Sequence, residues 1–321
     1  MTGLPVRRAS ELEALPPEKR WLVEGLWADQ AVGIVGGEPK CCKSFLALDV
    51  AVAVASGAPC LRRFRVAQPG KVLLFAAEDA LHVVRSRLAG ISVAANVSFE
   101  TLAVHVITVP LLRLDVPDHQ HLLRETVEHL RPRLLVLDPF VRLHRKDENV
   151  AAEVAPLLAY LRELQRRYET GVLLVHHARK GAAHARAGQA LRGSSELHAW
   201  GDSNLYLRRR KDSLKLTVEH RAAASPGDIE LALRERDAAL ALEVVDRPPE
   251  VAAEAVDDSD TSPHSPAERV TRALTTAPGP LSRGELRNVC KLRTITLSDT
   301  LAALVAAGRI RKVDGAYALA R

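Results

Sequence analysis

The chain has 321 residues and a formal net charge of +6. At roughly 100–200 residues per domain, this length accommodates one large domain and a small one. Hydrophobic residues make up 47% of the chain but aromatic residues only 4%, so the interior is packed mainly with Ala, Val and Leu, which favours buried parallel strands flanked by helices. The modest basic excess favours a polyanionic partner such as nucleic acid without identifying one.

The cysteines and the chain start argue against a secreted or membrane protein. None of the four cysteines forms a C-x-x-C pair, and Cys41 and Cys42 are adjacent in sequence. A disulfide between neighbours needs a strained ring, so a reducing compartment is the better interpretation. No apolar signal core opens the chain, and no run approaches the roughly 18 apolar residues of a membrane span. We therefore expect a cytoplasmic protein that does not insert into a membrane.

Apolar runs alternate with helical segments along the first part of the chain. Strands are predicted at residues 31–37, 71–79, 104–110, 133–140 and 171–180, and helices at 44–57, 121–130 and 154–169. This alternation indicates an α/β fold with a doubly wound parallel sheet, whose ligands bind at the carboxyl ends of the strands. After residue 203, alternating apolar residues predict an antiparallel extension of the same sheet.

The remaining sequence divides into a linker and a small domain. Residues 246–266 are rich in proline, serine and acids, which predicts a flexible linker between a large domain at 1–245 and a small domain at 267–321. The small domain contains three predicted helices followed by a hairpin with Asp314 and Gly315 at its turn. That order is typical of a winged helix-turn-helix.

One segment fits the phosphate-binding pattern G-x-x-x-x-G-K-[ST] except at its second glycine, where Cys42 stands. In such a loop, backbone N–H groups and a helix N-terminus hold phosphate oxygens, the lysine neutralises charge and the hydroxyl ligates Mg²⁺. A side chain at Cys42 can crowd the phosphates or require a backbone angle that glycine adopts more easily. A loop that binds no nucleotide is the alternative. The predicted nucleotide-binding residues are Gly37, Glu38, Pro39, Lys40, Cys41, Cys42, Lys43, Ser44 and Phe45.

Two predicted strands end in acidic residues. Asp138 follows the run RLLVL, where a carboxylate can reach Mg²⁺ through water. Glu78 and Asp79 end an earlier strand, and a carboxylate beside the γ-phosphate can orient and deprotonate the attacking water. Glu78 is the predicted catalytic base and Asp79 the alternative. The competing interpretation is that Glu78 and Asp79 simply cap the helix that follows them.

The segments GEPKCCKSFLALDVAVAVASG, LLFAAED, LLVLDPFVRLHRKDEN, LLVHHARK and LRGSSELHAWGDSNLYL resemble, in order and spacing, the RepA-type hexameric helicase family of RecA-like ATPases. The resemblance covers about residues 20–225. It implies ATP and Mg²⁺ as ligands, with Lys43 and Ser44 at the phosphates and metal, Glu78 as base and Asp138 as the metal-binding acid. It also implies His177 as γ-phosphate sensor, DNA as partner and self-association into a ring, expected to be a hexamer.

The resemblance further implies that a neighbouring subunit contributes an arginine to the active site. Arg221 is the predicted finger, although this chain has Glu219-His220-Arg221 where the family has Lys-x-Arg. Arg192 is the rival candidate.

Two basic regions are predicted to contact DNA. The loop after His177 contributes Arg179, Lys180 and Arg192, because the equivalent loop of RecA-like proteins faces the central channel. The small domain contributes its third helix and hairpin, with Arg293, Arg309, Arg311 and Lys312. A protein adaptor is the alternative role of the small domain. An ATP-dependent DNA-binding regulator or loader, or a degenerate P-loop scaffold, is the alternative for the whole chain.

Overall fold

The computed structural model of the chain divides into two compact units, Met1–Asp246 and Arg247–Arg321. The described residues are 4–12, 16, 19–177, 195–210, 213–236, 239–245, 265–277, 279–290, 292, 294–313 and 316–320. Within those ranges, no helix has both the length and the apolar character needed to cross a bilayer.

Strands of the first unit are β1 (Trp21–Val23), β2 (Trp27–Ala28), β3 (Val32–Gly37), β4 (Val72–Ala76), β5 (Val104–Val106), β6 (Leu134–Asp138), β7 (Gly171–His177), β8 (Ser203–Arg210), β9 (Ser213–His220), β10 (Ile229–Arg236) and β11 (Ala239–Val244). β1 and β2 form a small antiparallel hairpin. The other strands form one sheet in the order β11-β10-β9-β8-β3-β7-β6-β4-β5. Six neighbouring strands of this sheet run parallel to one another, in the order β8, β3, β7, β6, β4 and β5. β9, β10 and β11 extend the sheet in antiparallel fashion, which confirms the predicted α/β class and its antiparallel extension.

Helices cover both faces of this sheet. They are α1 (Lys43–Ser56), α2 (Leu81–Ala94), α3 (Pro117–Leu130), α4 (Ala151–Tyr168) and the short α5 (Ser195–Trp200). Neighbouring strand residues point to opposite sides, so Val35 packs with α1 and α2 while Ile34 packs with α3 and α4. Burial on both faces explains why the parallel strands are continuous apolar runs.

The observed elements follow the predicted ones, with different ends. β4 stops at Ala76 rather than residue 79, so Glu78 and Asp79 lie in the connection before α2. β5 is shorter than the predicted 104–110, and within the described part of the chain it pairs with β4 alone, at the edge of the sheet. α3 begins at Pro117, where the missing N–H of proline costs nothing in the first helical turn.

The second unit has a separate apolar core. It contains α6 (Pro266–Thr276), β12 (Leu281–Ser282), α7 (Arg283–Cys290), α8 (Thr294–Ala306), β13 (Ile310–Val313) and β14 (Ala316–Leu319). Leu297, Leu301 and Leu304 of α8 are buried in that core. Val313 pairs with Ala316, so two residues connect the strands of the hairpin, and both lie outside the described residues.

Candidate active site

A cavity of about 300 Å³ opens where β3, β4, β6 and β7 end at the carboxyl edge of the sheet. Parallel strands bring their carboxyl ends to the same edge, so residues far apart in sequence meet there. The cavity is lined by Lys40, Cys42, Lys43, Ser44, Phe45, Glu78, Asp79, Arg87, Asp138, Val175 and His177. It therefore brings together the predicted lysine, hydroxyl, both candidate bases, the metal-binding acid and the predicted sensor.

The loop between β3 and α1 has a tightly constrained shape. A Cβ added to Gly37 would lie 2.4 Å from the backbone oxygen of Leu207 on neighbouring β8, so only glycine fits there. Lys40 and Cys42 both have left-handed backbones, with φ of +63° and +65°. The side chain of Cys41 is buried away from the cavity beside Gly37, whereas that of Cys42 faces the cavity. Cys42 also precedes the first residue of α1, so the loop ends at a helix N-terminus.

Lys43 is the buried cation of this loop. Its side chain is 5% exposed, and its Nζ donates a hydrogen bond to the backbone oxygen of Glu38 at 2.8 Å. Burial lowers the pKa of Lys43, and the nearby Cys41, Asp138 and Glu78 oppose that shift. Among the described residues, no carboxylate oxygen lies within ion-pair distance of Nζ. An anionic ligand in the cavity would therefore supply the charge partner that the buried ammonium lacks.

The buried carboxylate of Asp138 and the half-buried hydroxyl of Ser44 both line the cavity. Asp138 is 8% exposed at the end of β6, and burial raises its pKa to about 6 against the effect of a hydrogen bond from Ser44. The negative charges of Asp79 and Glu78 add to the rise. A hard divalent cation prefers hydroxyl and carboxylate oxygens and would relieve this crowding of negative charge. These residues therefore fit Mg²⁺.

Each candidate base is held by an arginine. The Glu78 carboxylate accepts a hydrogen bond from Arg142 Nε at 2.8 Å, and Asp79 forms an ion pair with Arg87. Arg87 also lies over the ring of Phe45, with 5.2 Å from its guanidinium carbon to the ring centroid. Sequence reasoning missed both arginines. The one available signal is position, since Arg142 closely follows Asp138 and Arg87 lies in the second turn of the helix that follows Asp79.

His177 ends β7 and lines the cavity, in register with Gly37 on β3. Arg221 lies elsewhere. Arg221 directly follows His220, which pairs with Ser203 at the start of β8. The phosphate-binding loop instead lies beside the end of β8, near Leu207. Arg221 is therefore at the amino edge of the parallel strands, where it contacts Ala199 and lies 3.2 Å from an oxygen of Asp202.

The predicted DNA-binding residues divide into two groups. Arg309, Arg311 and Lys312 are exposed in the second unit. Arg179, Lys180, Arg192 and Arg293 lie outside the described residues.

A parallel sheet with a phosphate-binding loop, a buried lysine and acids at its carboxyl edge defines a RecA-like P-loop ATPase. The chain belongs to the AAA domain family, whose model matches residues 4–183. Among solved structures, the ATPase domain of a helicase aligns with a TM-score of 0.52 and 13% identity, covering 66% of this chain and 85% of that chain. The RadB recombinase aligns at 16% identity over 68% of this chain and 91% of that chain, with a TM-score of 0.48. The likeness to the helicase ATPase domain is one of fold.

Proposed function

We propose that this chain couples ATP hydrolysis to work on DNA as a ring-forming ATPase of the RepA type, in its most specific form a helicase. The observation that carries the proposal is the cavity where Lys43, Ser44 and Asp138 meet beside Glu78. These side chains provide a cation for the phosphates, oxygens for a metal and a base for water. Phosphoryl transfer relies on those groups for positioning and electrostatic stabilisation.

In this proposal, the phosphates of ATP lie against the backbone of residues 37–44 and the N-terminus of α1. Lys43 neutralises charge on the β- and γ-phosphates. Ser44 and Asp138 hold Mg²⁺, which when bound stabilises negative charge on the phosphates. Ser44 and Asp138 both line the cavity, so the two proposed metal-binding groups are close to each other before any ligand arrives.

Glu78 orients and deprotonates the attacking water. Its contact with Arg142 supports this role, because that arginine restrains the carboxylate at the mouth of the cavity. Asp79 remains the alternative base, since its carboxylate lines the same cavity and is restrained by Arg87. His177 contacts the γ-phosphate from the end of β7 and senses its presence.

Arg221 completes the site of a neighbouring subunit. Its place at the amino edge of the parallel strands supports this assignment, because it is remote from the cavity of its own chain. Arg192 is the rival for the same role. Either finger makes hydrolysis depend on assembly into a ring, for which we propose six subunits.

DNA is bound by two basic regions in this proposal. Arg179, Lys180 and Arg192 contact the backbone of DNA in the channel of the ring. The second unit is a winged helix-turn-helix, and the order of α6, α7 and α8 followed by the β13–β14 hairpin supports that assignment. Its DNA contacts are Arg293, Arg309, Arg311 and Lys312.

The test is ATP hydrolysis measured without DNA, with single-stranded DNA and with duplex DNA, alongside the mass of the assembly. We expect phosphate release to rise with DNA in a ring-sized species. An equal rate of phosphate release with and without DNA would contradict the coupling to DNA. The ATPase assignment would be unaffected.

Two alternative functions are separated by further measurements. A regulator or loader would hydrolyse ATP and bind DNA but fail to displace a strand. A degenerate scaffold is suggested by the left-handed Cys42 in place of the second glycine. It would bind nucleotide, if at all, without releasing phosphate.

A further inference from the structure

Two residues of the phosphate-binding loop have a backbone conformation that glycine adopts more easily. Lys40 and Cys42 are both left-handed, and each such residue costs roughly 1–2 kcal/mol. Strained residues of this kind persist only where the surrounding structure holds them in place. The contacts that hold this loop are therefore part of how it functions.

One arginine outside the loop contacts both strained residues. Arg209 lies near the end of β8, two residues beyond Leu207, which is in register with Gly37. Alternate residues of a strand share a face, so Arg209 lies on the same face of β8 as Leu207, which packs in the core with α1. Its Nη2 donates to the backbone oxygen of Lys40 at 3.1 Å and lies 3.7 Å from the Sγ of Cys42.

The second of these contacts exists because residue 42 is not glycine. A glycine would adopt the left-handed backbone without strain and would offer no sulfur to Arg209. Arg209 is not among the residues that line the cavity, so its contacts are with the loop itself. We propose that Arg209 is a positioning residue that holds the phosphate-binding loop in its nucleotide-binding shape, and that it does so through Cys42. The two residues then act as a pair that replaces the missing glycine.

This inference rests on the proposed function only in assuming that the loop binds nucleotide. The first test is a double-mutant cycle on the full chain, with equilibrium binding of fluorescent ADP to wild type, Arg209→Ala, Cys42→Gly and the double variant. We expect Arg209→Ala to raise Kd about 10-fold, the effect of a lost hydrogen bond of roughly 1.4 kcal/mol. In the Cys42→Gly background, the same change should raise Kd less than about 2-fold, because a glycine adopts the left-handed backbone without strain and the loop then depends less on Arg209, although the bond to Lys40 remains.

The matched control is Arg234→Ala, which removes an exposed arginine from β10 in the same unit and should leave Kd unchanged. Thermal unfolding of each variant verifies that it is folded. An equal loss of affinity in both backgrounds would overturn the pairing with Cys42, because Arg209 would then act through its bond to Lys40 or directly on the phosphates. Unchanged affinity in Arg209→Ala would overturn the positioning role altogether.

A second measurement needs no nucleotide and so separates this inference from the proposed function. Hydrogen–deuterium exchange of the peptide that spans residues 37–44 is measured without nucleotide in wild type, Arg209→Ala and Arg234→Ala. Because Arg209 contacts both Lys40 and Cys42, we expect faster exchange in Arg209→Ala and unchanged exchange in Arg234→Ala. Faster exchange in a chain that binds no nucleotide would support the contact and reject the nucleotide site. Unchanged exchange in Arg209→Ala would overturn the contact.

Discussion

At the scale of single residues, the proposed active site separates a group that would bind phosphate from a group that would act on water. Lys43 is buried in the loop, whereas Glu78 lies at the mouth of the cavity with 43% of its side chain exposed. In the proposed mechanism, the lysine acts on the phosphates in both ground and transition states, and the carboxylate acts mainly on the attacking water. Substitutions of Lys43 and of Glu78 should therefore have different kinetic effects.

We predict that Lys43→Ala abolishes nucleotide binding, while Glu78→Gln retains binding and loses turnover by roughly 10²–10⁴-fold, as expected for loss of a general base. Binding is measured by fluorescent nucleotide titration and turnover by phosphate release. Asp79→Asn is the matched control, since it neutralises the neighbouring carboxylate in the same cavity. Wild-type hydrolysis by Glu78→Gln, with loss in Asp79→Asn, would transfer the base role to Asp79.

At the scale of elements, a chain of hydrogen bonds connects the β1–β2 hairpin with the sheet. The Ala28 N–H donates to Ser203 Oγ at 3.0 Å, and Ser203 Oγ lies 3.1 Å from Nδ1 of His220. His220 Nε2 lies 3.2 Å from the backbone oxygen of Gly25, which can only accept. Nε2 therefore carries a proton, and in the neutral imidazole Nδ1 accepts from the serine hydroxyl.

A pH dependence of stability follows from the burial of this imidazole. Burial lowers the pKa of His220, although its contact with Gly25 opposes the shift. Because the folded pKa is depressed, the unfolded chain binds more protons, and this contribution to stability is lost as pH falls through the unfolded value near 6.5. We predict that the fall in Tm between about pH 7.5 and pH 5.5 is smaller in His220→Asn than in wild type.

The control for this prediction is His121→Asn, because His121 is exposed on α3 and its side chain is 65% accessible. Thermal unfolding is followed by circular dichroism at a series of pH values. Identical pH slopes in wild type and His220→Asn would show that the imidazole is not held neutral.

At the scale of the whole molecule, the proposed role of Arg221 in a neighbouring site would make hydrolysis a property of the assembly. We predict that Arg221→Ala and Lys43→Ala are each inactive alone and regain activity when mixed, since one variant supplies the intact loop and the other the intact finger. Random mixing restores about a quarter of the sites, and a finger in trans contributes roughly 10³–10⁵ in rate. Phosphate release is measured before and after mixing under conditions that exchange subunits.

The control is a mixture of Lys43→Ala with Glu78→Gln. Both lesions lie in the same cavity, so on different chains they can complement only if a base acts in trans. Restored activity in that control mixture would reject Arg221 as the finger. The same conclusion would follow if the test mixture stays inactive while a mixture of Arg192→Ala with Lys43→Ala regains activity.

The second unit is predicted to bind duplex DNA without ATP. Its core is formed from its own residues, so residues 265–321 can be tested as a fragment. Arg309, Arg311 and Lys312 are exposed, and each phosphate that they neutralise should steepen the fall of log affinity with log salt by roughly 0.9. Titration at two salt concentrations measures this slope. Arg311→Glu should weaken binding, with Arg272→Glu on α6 as the matched charge reversal.

No binding at low salt, or equal weakening by both charge reversals, would favour a protein adaptor. In that case, the second unit would recruit the ATPase through a partner rather than through DNA. The prediction for the first unit would be unaffected, because its proposed DNA contacts lie in the loop after His177.

The sequence by itself determined the parallel sheet, the loop and the position of Asp138 at the end of its strand. Strands buried on both faces have to be continuous apolar runs, and phosphate chemistry requires a lysine and a hydroxyl at a fixed spacing, so both leave local patterns. Val32–Gly37 and the following Lys43 are examples of such patterns.

Only the tertiary structure decided which arginines contact the residues of the site. Arg142 meets Glu78 across 64 residues of sequence, and Arg209 meets Lys40 across 169. Neither contact leaves a periodicity or spacing, because each depends on which strands are neighbours in the sheet. β8 reaches the loop only because it pairs with β3, and the pairing of distant strands is settled by packing of the whole sheet rather than by any local segment.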